Sequence, residues 1–282
     1  MARLRIGVIG CGAIAQIQHL PHLRELDTEF EIGGLCDVSA QLLEAIGDDY
    51  RVPTERRFLD YHDLVRSDID AVIVCPSGSH APPSIAAAEA GKHVLVEKPM
   101  CTTPREAEAI VAAADRHGVV LMVAYMKRYE PAYQFAQARV RDMTDVRFIQ
   151  VNHLHPDNAL HTAEFKVRRF DDVPGDLVQA ARVQEQALLA EALDDPQPTE
   201  AMARAYNLIL GSMIHDIGNL HGLFGPPARV LSAEIWREEH RRLIASALGY
   251  ADPAALPDDI AAAYNIILGS MIHDIGNLHG LF

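Results

Sequence analysis

Gly10, Gly12 and Ala15 stand at the spacing Gly-x-Gly-x-x-Ala, directly after the apolar run Leu4-Arg5-Ile6-Gly7-Val8-Ile9. That run is short, rich in β-branched residues and stopped by glycine, the pattern of a buried parallel strand. A helix is predicted to follow from about Ala13. In such a turn the first glycine permits a tight bend and the second lets backbone approach a pyrophosphate, while the small Ala15 lets helix and strand pack closely. Ala13 and Ile14 open the helix, where N–H donors and the positive end of the helix dipole favour phosphate. A second strand, Phe30 to Cys36, ends at Asp37. A carboxylate there can accept both ribose hydroxyls of an adenosine and would repel a 2′-phosphate. The pattern points to a dinucleotide, NAD in preference to NADP. The plainer alternative is an ordinary strand–turn–helix in which Asp37 is a loop acid.

A second group of residues could handle protons. Val94-Leu95-Val96-Glu97-Lys98-Pro99 ends a predicted strand at the edge where open α/β sheets bind ligands. A lysine between an apolar strand and a rigid proline can be partly desolvated, and its ammonium can hydrogen-bond a substrate hydroxyl. The alternative is a surface lysine at a strand end. Farther on, Tyr206, Leu210, Met213, Ile217, Leu220 and Phe224 follow steps of four and three, one apolar stripe of a helix. Gly211, His215, Gly218, Asn219 and Gly222 fall on the other side, where glycines flanking a histidine suit close approach by a ligand. A helix-packing histidine is the alternative. His153, His155 and His161 cluster near the end of another predicted strand. Their spacing matches no usual zinc site and no cysteine lies near, so no metal is assigned. Solvated loop histidines are the plainer reading, with substrate contact by His153 or His155 second.

The elements that must position these groups alternate through the first part of the chain. Strands are predicted at Ala71 to Cys75, His93 to Val96 and Val119 to Tyr125. Helices are predicted at Pro82 to Ala90 and from Thr103, where Thr103, Pro104 and Glu106 form a capping box with proline at the first helical position. Such alternation means a parallel sheet wrapped by helices on both faces. The fold class is therefore α/β, with residues 1–126 a doubly wound Rossmann domain and 127–282 a second part of different character. In that second part a helix is predicted at Pro131 to Arg141 and strands at Val146 to Val151 and Ala228 to Trp236. Residues 263–282 repeat 205–224 with one change, Leu208 to Ile266. Two copies do not make a solenoid, and near-identity fits a recent duplication or a chimeric origin. With Lys and Arg numbering 25 against 39 Asp and Glu, the net charge of −14 argues against nucleic acid and against an anionic membrane surface. The cysteines Cys11, Cys36, Cys75 and Cys101 form no Cys-x-x-Cys pair and suit a reducing cytoplasm. A first strand so near Met1 leaves no room for a signal peptide, and no apolar run is long enough to span a membrane.

The chain resembles the Gfo/Idh/MocA family of NAD(P)-dependent sugar and cyclitol dehydrogenases. The resemblance is carried by Arg5-Ile6-Gly7-Val8-Ile9-Gly10-Cys11-Gly12, Pro76-Ser77-Gly78-Ser79-His80, His93 to Pro99, and Tyr125-Met126-Lys127-Arg128-Tyr129-Glu130-Pro131-Ala132. It covers residues 1 to about 155. It implies a catalytic Lys98, with Glu97 beside it at the cofactor, Pro76 and His80 along the nicotinamide side, and Arg128 opening the substrate domain. His215 would pass the hydroxyl proton while hydride moves between NAD(P) and a carbinol carbon of a sugar or polyol. The resemblance also implies that 127–282 form a second α+β domain, whose open sheet would be incomplete in this chain, and that the protein is a homo-oligomer. The family often carries aspartate four residues before that histidine; here Gly211 stands there, and Asp216 is expected to support His215. After the strand at Arg229 to Trp236 the chain departs from the family and returns to helix, and either His215 or its repeat His273 could be the one in place. Two other functions compete. An NAD-binding protein without turnover is consistent with Gly211, and His-Asp-Ile-Gly resembles the metal-binding core of HD-type phosphohydrolases, with His161 and Asp252 as poorly spaced further ligands.

Overall fold

The apolar runs of the amino-terminal part become one parallel sheet in the computed structural model, which describes residues 2–151, 153, 163–231, 251, 252 and 255. Strands β1 (Leu4–Ile9), β2 (Phe30–Cys36), β3 (Arg57–Phe58), β4 (Ala71–Val74), β5 (His93–Val96) and β6 (Leu121–Val123) lie in the order β3-β2-β1-β4-β5-β6. Every neighbouring pair is parallel, so each connection must cross over. The first crossover starts helical at Ala13, passes through a π-helical turn at Ala15–His19 and continues as α1 (Leu20–Glu25). The others contain α2 (Ala40–Asp49), α3 (Tyr61–Arg66), α4 (Ala81–Glu89) and α5 (Pro104–His117).

Alternation along the strands divides the core between the two faces of the sheet. Val72 and Val74 of β4 join Val94, Val96, Leu64, Ala87 and Ala113 on one face. Ile73 and Cys75 join Ile6, Val8, Leu35, Leu20 and Leu43 on the other. Strands buried on both sides read as continuous apolar runs, and these do. The predicted capping box is present: the Thr103 hydroxyl accepts from Glu106 N at 3.2 Å and the Glu106 carboxylate accepts from Thr103 N at 3.3 Å. Glu106, 6% exposed, also accepts from the Ser79 hydroxyl at 2.8 Å, which ties the β4–α4 loop to the start of α5. Strand β6 is shorter than the predicted Val119 to Tyr125: Leu121, Met122 and Val123 pair in register with Val94, Leu95 and Val96.

The described chain divides into two units. One takes residues up to Ala124 together with Phe165–Pro198; the other takes the described residues from Tyr125 to Glu164 and from Thr199 onward. The sequence reading placed everything after 126 in the second domain. Segment 165–198 instead returns to the sheet unit through polar contacts. The Arg168 guanidinium meets Asp49 at 2.8 and 2.9 Å, and Arg105 meets Glu191 on α7 (Gly175–Leu193) at 2.9 and 2.6 Å.

The second unit contains a 3₁₀ turn at Met126–Tyr129, α6 (Pro131–Val140), α8 (Glu200–Leu208), a π-helical turn at Ile209–Met213 and α9 (Ile214–Phe224). Its predicted strands are corrected. Residues 146–151 carry no strand pairing, and Phe148 is 80% exposed. A β-prone run with no partner strand gains no ladder hydrogen bonds and does not become a strand. Residues 228–231 are likewise irregular, and the rest of that predicted strand, like the second copy of the repeat, lies outside the described residues. All six strands among the described residues therefore belong to the first unit. Among the described residues no helix is long and apolar enough to cross a membrane.

The bend after β1 is tightly constrained. Gly10 has φ +92°, and a Cβ on it would stand 2.5 Å from the backbone N and Cα of Pro76. Gly10→Ala combines left-handed strain with a backbone clash and is expected to cost about 2–4 kcal/mol. A lower midpoint in urea denaturation, followed by far-ultraviolet circular dichroism, checks this.

Candidate active site

Because all six strands are parallel, the loops at their carboxyl ends share one edge of the sheet. Strand order reverses at β1, between β2 and β4, and the crevice of such a sheet opens at that point. The edge there collects Gly10 to Ala15 after β1, Asp37 after β2, Pro76 and His80 after β4, and Glu97 and Lys98 after β5. These are the residues the sequence nominates for the cofactor.

The glycine turn is pinned from both sides. Gly10 N donates to Cys36 O at 2.8 Å, and the Cys75 thiol lies 3.2 Å from Gly10 O. The Asp37 carboxylate accepts from Cys11 N at 2.7 Å and from Ser39 N at 2.9 Å. It thus braces the turn against the end of β2, and a carboxylate with about four acceptor sites keeps capacity for ribose hydroxyls. Ala15 is fully buried, as close packing of helix on sheet requires. A side chain at Gly12 would meet no atom within 4 Å, so the backbone there is open to approach by a ligand. The first-turn amides of the helix have no intrahelical acceptors. Open backbone, amides and an acid at the end of β2 fit a dinucleotide.

On the other side of the switch point a polar network fixes the residues around Lys98. His80 is 8% exposed. Its Nδ1 lies 3.0 Å from Glu97 O and 2.8 Å from Pro99 O, and its Nε2 lies 3.0 Å from Pro76 O. The ring therefore clamps the β4 loop to the β5 loop. Glu97 accepts from Lys98 N at 3.0 Å through one oxygen, and its other oxygen lies 2.9 Å from His19 Nε2. Burial pushes the Glu97 carboxyl up, but hydrogen bonding and charge from His19, with the Lys98 amide and ammonium, outweigh it and hold the group below its ordinary value. Lys98 is half-buried at the end of β5. Sequence reasoning missed His19, a lone histidine one turn beyond Ala15 in the helix that opens the site.

Cysteine chemistry is held off here. Burial, with the charge of Glu106 added, raises the Cys101 thiol to about 11, and burial first and Asp37 second raise Cys36 to about 12. Thiols so shifted stay protonated near neutral pH and are poor nucleophiles.

The second unit has its own polar cluster. Asp216 sits on His153 Nδ1 in a short contact, and the Ser212 hydroxyl lies 2.8 Å from His153 Nε2. The expected support of His215 by Asp216 is therefore corrected. Residues four apart share a helix face, so Ser212 and Asp216 reach one imidazole together, while the adjacent His215 points about 100° away. The 212/216 spacing was the sequence signal for this set. Two glycines of the helix are also reassigned. A Cβ on Gly218 would lie 3.4 Å from the Tyr125 ring, and one on Gly222 would lie 1.9 Å from the Tyr133 hydroxyl and 2.8 Å from the Arg128 guanidinium. They make room for the unit's own side chains, not for a ligand. Gln137 Nε2 donates to Gly222 O at 3.1 Å across the same contact. His155, His161 and His273 lie outside the described residues. Among the described residues no three metal-ligating side chains gather, so the phosphohydrolase reading finds no ligand set there.

Residues 4–125 match the family model GFO_IDH_MocA, described as an oxidoreductase family with an NAD-binding Rossmann fold. Inositol 2-dehydrogenase of Paracoccus denitrificans is 38% identical over 144 residues, 50% of this chain and 42% of that protein. UDP-N-acetylglucosamine 3-dehydrogenase of Acidithiobacillus ferrooxidans is 29% identical over 180 residues, 63% of this chain and 52% of that protein. Among solved structures, aldose-aldose oxidoreductase of Caulobacter crescentus, complexed with glycerol, is 30% identical with a TM-score of 0.47, over 50% of this chain and 43% of that one. The chain thus spans about half the length of the relatives it matches.

The Glu97 network has a pH signature. A carboxyl held below its ordinary value of 4.5 in the folded state contributes stability that is complete above that value and is lost as pH falls through the lowered one. Glu97→Gln removes this contribution. Urea midpoints of the two proteins should differ at neutral pH, with the gap narrowing below about 4.5; a gap independent of pH would show that the charge contributes nothing.

Proposed function

We propose that the chain, whose residues 4–125 match the GFO_IDH_MocA oxidoreductase family with its NAD-binding Rossmann fold, is a dehydrogenase acting on a carbinol carbon of a sugar, cyclitol or related small polyol. The observation that carries the reading is the shared carboxyl edge of the parallel sheet, where the Gly10–Gly12 turn, Asp37 and Lys98 all emerge. Relatives named as inositol and UDP-N-acetylglucosamine dehydrogenases support the substrate class.

In this reading Gly10, Gly12, Ala13, Ile14 and Ala15 receive the pyrophosphate. Asp37 takes the adenosine ribose, and Pro76, His80 and Glu97 shape the nicotinamide end. Bound NAD supplies the ring that accepts or returns the hydride. The Lys98 ammonium donates a hydrogen bond to the substrate oxygen and stabilises the negative charge that grows there as the proton leaves. Glu97, on the Lys98 amide, holds that backbone in place. His215 takes or returns the hydroxyl proton at an imidazole nitrogen. Arg128 and His153 contact the remaining hydroxyls, His153 with its ring oriented by Asp216; its place beside His153 in the sequence gives His155, outside the described residues, the same role. Four free cysteines fit a cytoplasmic protein, and the family resemblance supports a homo-oligomer.

A second reading, NAD binding without turnover, is favoured by Gly211 in the place where the family often has an aspartate. Two measurements separate them. Calorimetric titration should give saturable NAD binding, and none at millimolar NAD would remove both readings. Lys98→Ala should lower turnover of an accepted polyol by about 10²–10⁴-fold while NAD still binds; unchanged turnover would refute the role of the lysine.

A further inference from the structure

The strongest unassigned feature lies beside Asp37 and comes from a segment outside the alternating fold. Segment 165–172 runs along the adenosine side of the glycine turn. Arg168 N donates to Gln16 Oε1 at 2.8 Å, while Gln16 Nε2 donates to Arg168 O at 3.1 Å and to Cys11 O at 2.9 Å. Four residues later the Asp172 carboxylate reaches the start of α2. One oxygen takes the Ser39 hydroxyl in a short hydrogen bond, and the other accepts from Gln41 N at 2.9 Å. The direction at Ser39 is settled, because an ionised carboxylate only accepts, and the Ser39 oxygen in turn accepts from Leu42 N at 3.0 Å. Ser39 is 3% exposed, and its own N–H donates to Asp37 at 2.9 Å. Two carboxylates therefore grip one buried serine, Asp37 on the amide and Asp172 on the hydroxyl.

In a dinucleotide fold the acid after the second strand faces the adenosine ribose, and a 2′-phosphate, when present, is accommodated next to it by a basic group. Two donors just beyond Asp37, the Ser39 hydroxyl and the Gln41 amide, are both taken by the Asp172 carboxylate. The nearby cation, Arg168, is paired to Asp49 through Nε and one terminal guanidinium nitrogen. Hydrogen bonds from the Ser39 hydroxyl and then the Gln41 amide hold the Asp172 carboxyl below its ordinary value, so it is charged at neutral pH.

We propose that Asp172 is a cofactor-specificity residue: it occupies the Ser39 and Gln41 donors that a 2′-phosphate would use and adds a second negative charge beside Asp37, so that the chain takes NAD and rejects NADP. Specificity arises here from a repulsive element together with donors already committed. The inference rests on the NAD-binding reading above and assigns the selectivity to a residue outside the matched Rossmann segment.

The test is calorimetric titration of the full chain with NAD and with NADP, in the wild type, Asp172→Asn and Asp172→Ala, at low and high salt. The wild type should bind NADP at least about tenfold more weakly than NAD, and both variants should raise the NADP-to-NAD affinity ratio about tenfold. Asp172→Asn keeps an acceptor for Gln41 N while losing the charge, so it carries the test if the alanine variant folds poorly. Added salt should narrow the difference between wild type and Asp172→Asn. An unchanged ratio in both variants, or equal binding of NAD and NADP by the wild type, would overturn the inference and leave NAD binding standing. Failure of the wild type to bind either nucleotide would overturn the NAD reading and the inference with it.

Discussion

The backbone contact between the end of β1 and the end of β4 is the constraint on which the rest of the site depends. At Gly10 the chain turns with φ +92° so close to Pro76 that no side chain fits between them. This contact brings together the two loops that flank the point where strand order reverses. On one side it leaves Gly12 open to space; on the other it sets the path from Pro76 to His80. From there the imidazole of His80 reaches the carbonyls of Glu97 and Pro99 and fixes the turn that bears Lys98. Glycine is required at position 10 by its dihedral angle and by the space, and each reason alone would suffice.

Around that contact, ionised groups act more as braces than as reactive groups. Asp37 joins the glycine turn to β2, Glu97 joins the first helix to the β5 loop, and Glu106 joins the β4–α4 loop to α5. Each carboxylate accepts hydrogen bonds from two elements, and such sharing compensates a charge withdrawn from water. The same principle organises the second unit, where Asp216 and Ser212 hold His153 from one helix face.

Much of the cofactor half was legible in the sequence because local chemistry and fold agree there. The run Leu4–Ile9, the glycine turn, Asp37 and the capping box at Thr103 each demand one local conformation, and the alternation of elements leaves one class of sheet. The second half was read less well for an equally physical reason. A β-prone run such as 146–151 becomes a strand only beside a partner. The glycines at 218 and 222 looked like room for a ligand, but the neighbours that fill the space, Tyr125, Tyr133 and Arg128, lie far away along the chain.

The sequence by itself determined the glycine turn after β1, the acid after β2, the lysine at the end of β5 and the helices that carry the histidines, since each follows from residue type and short-range spacing. Only the tertiary structure decided who meets whom. It brought Asp172 to Ser39 across 133 positions, sent segment 165–198 back to the sheet, and gave Asp216 to His153 and His19 to Glu97. Those pairings depend on where the backbone returns in space, and hydrogen bonds between side chains far apart in the chain leave no periodicity by which a sequence could announce them.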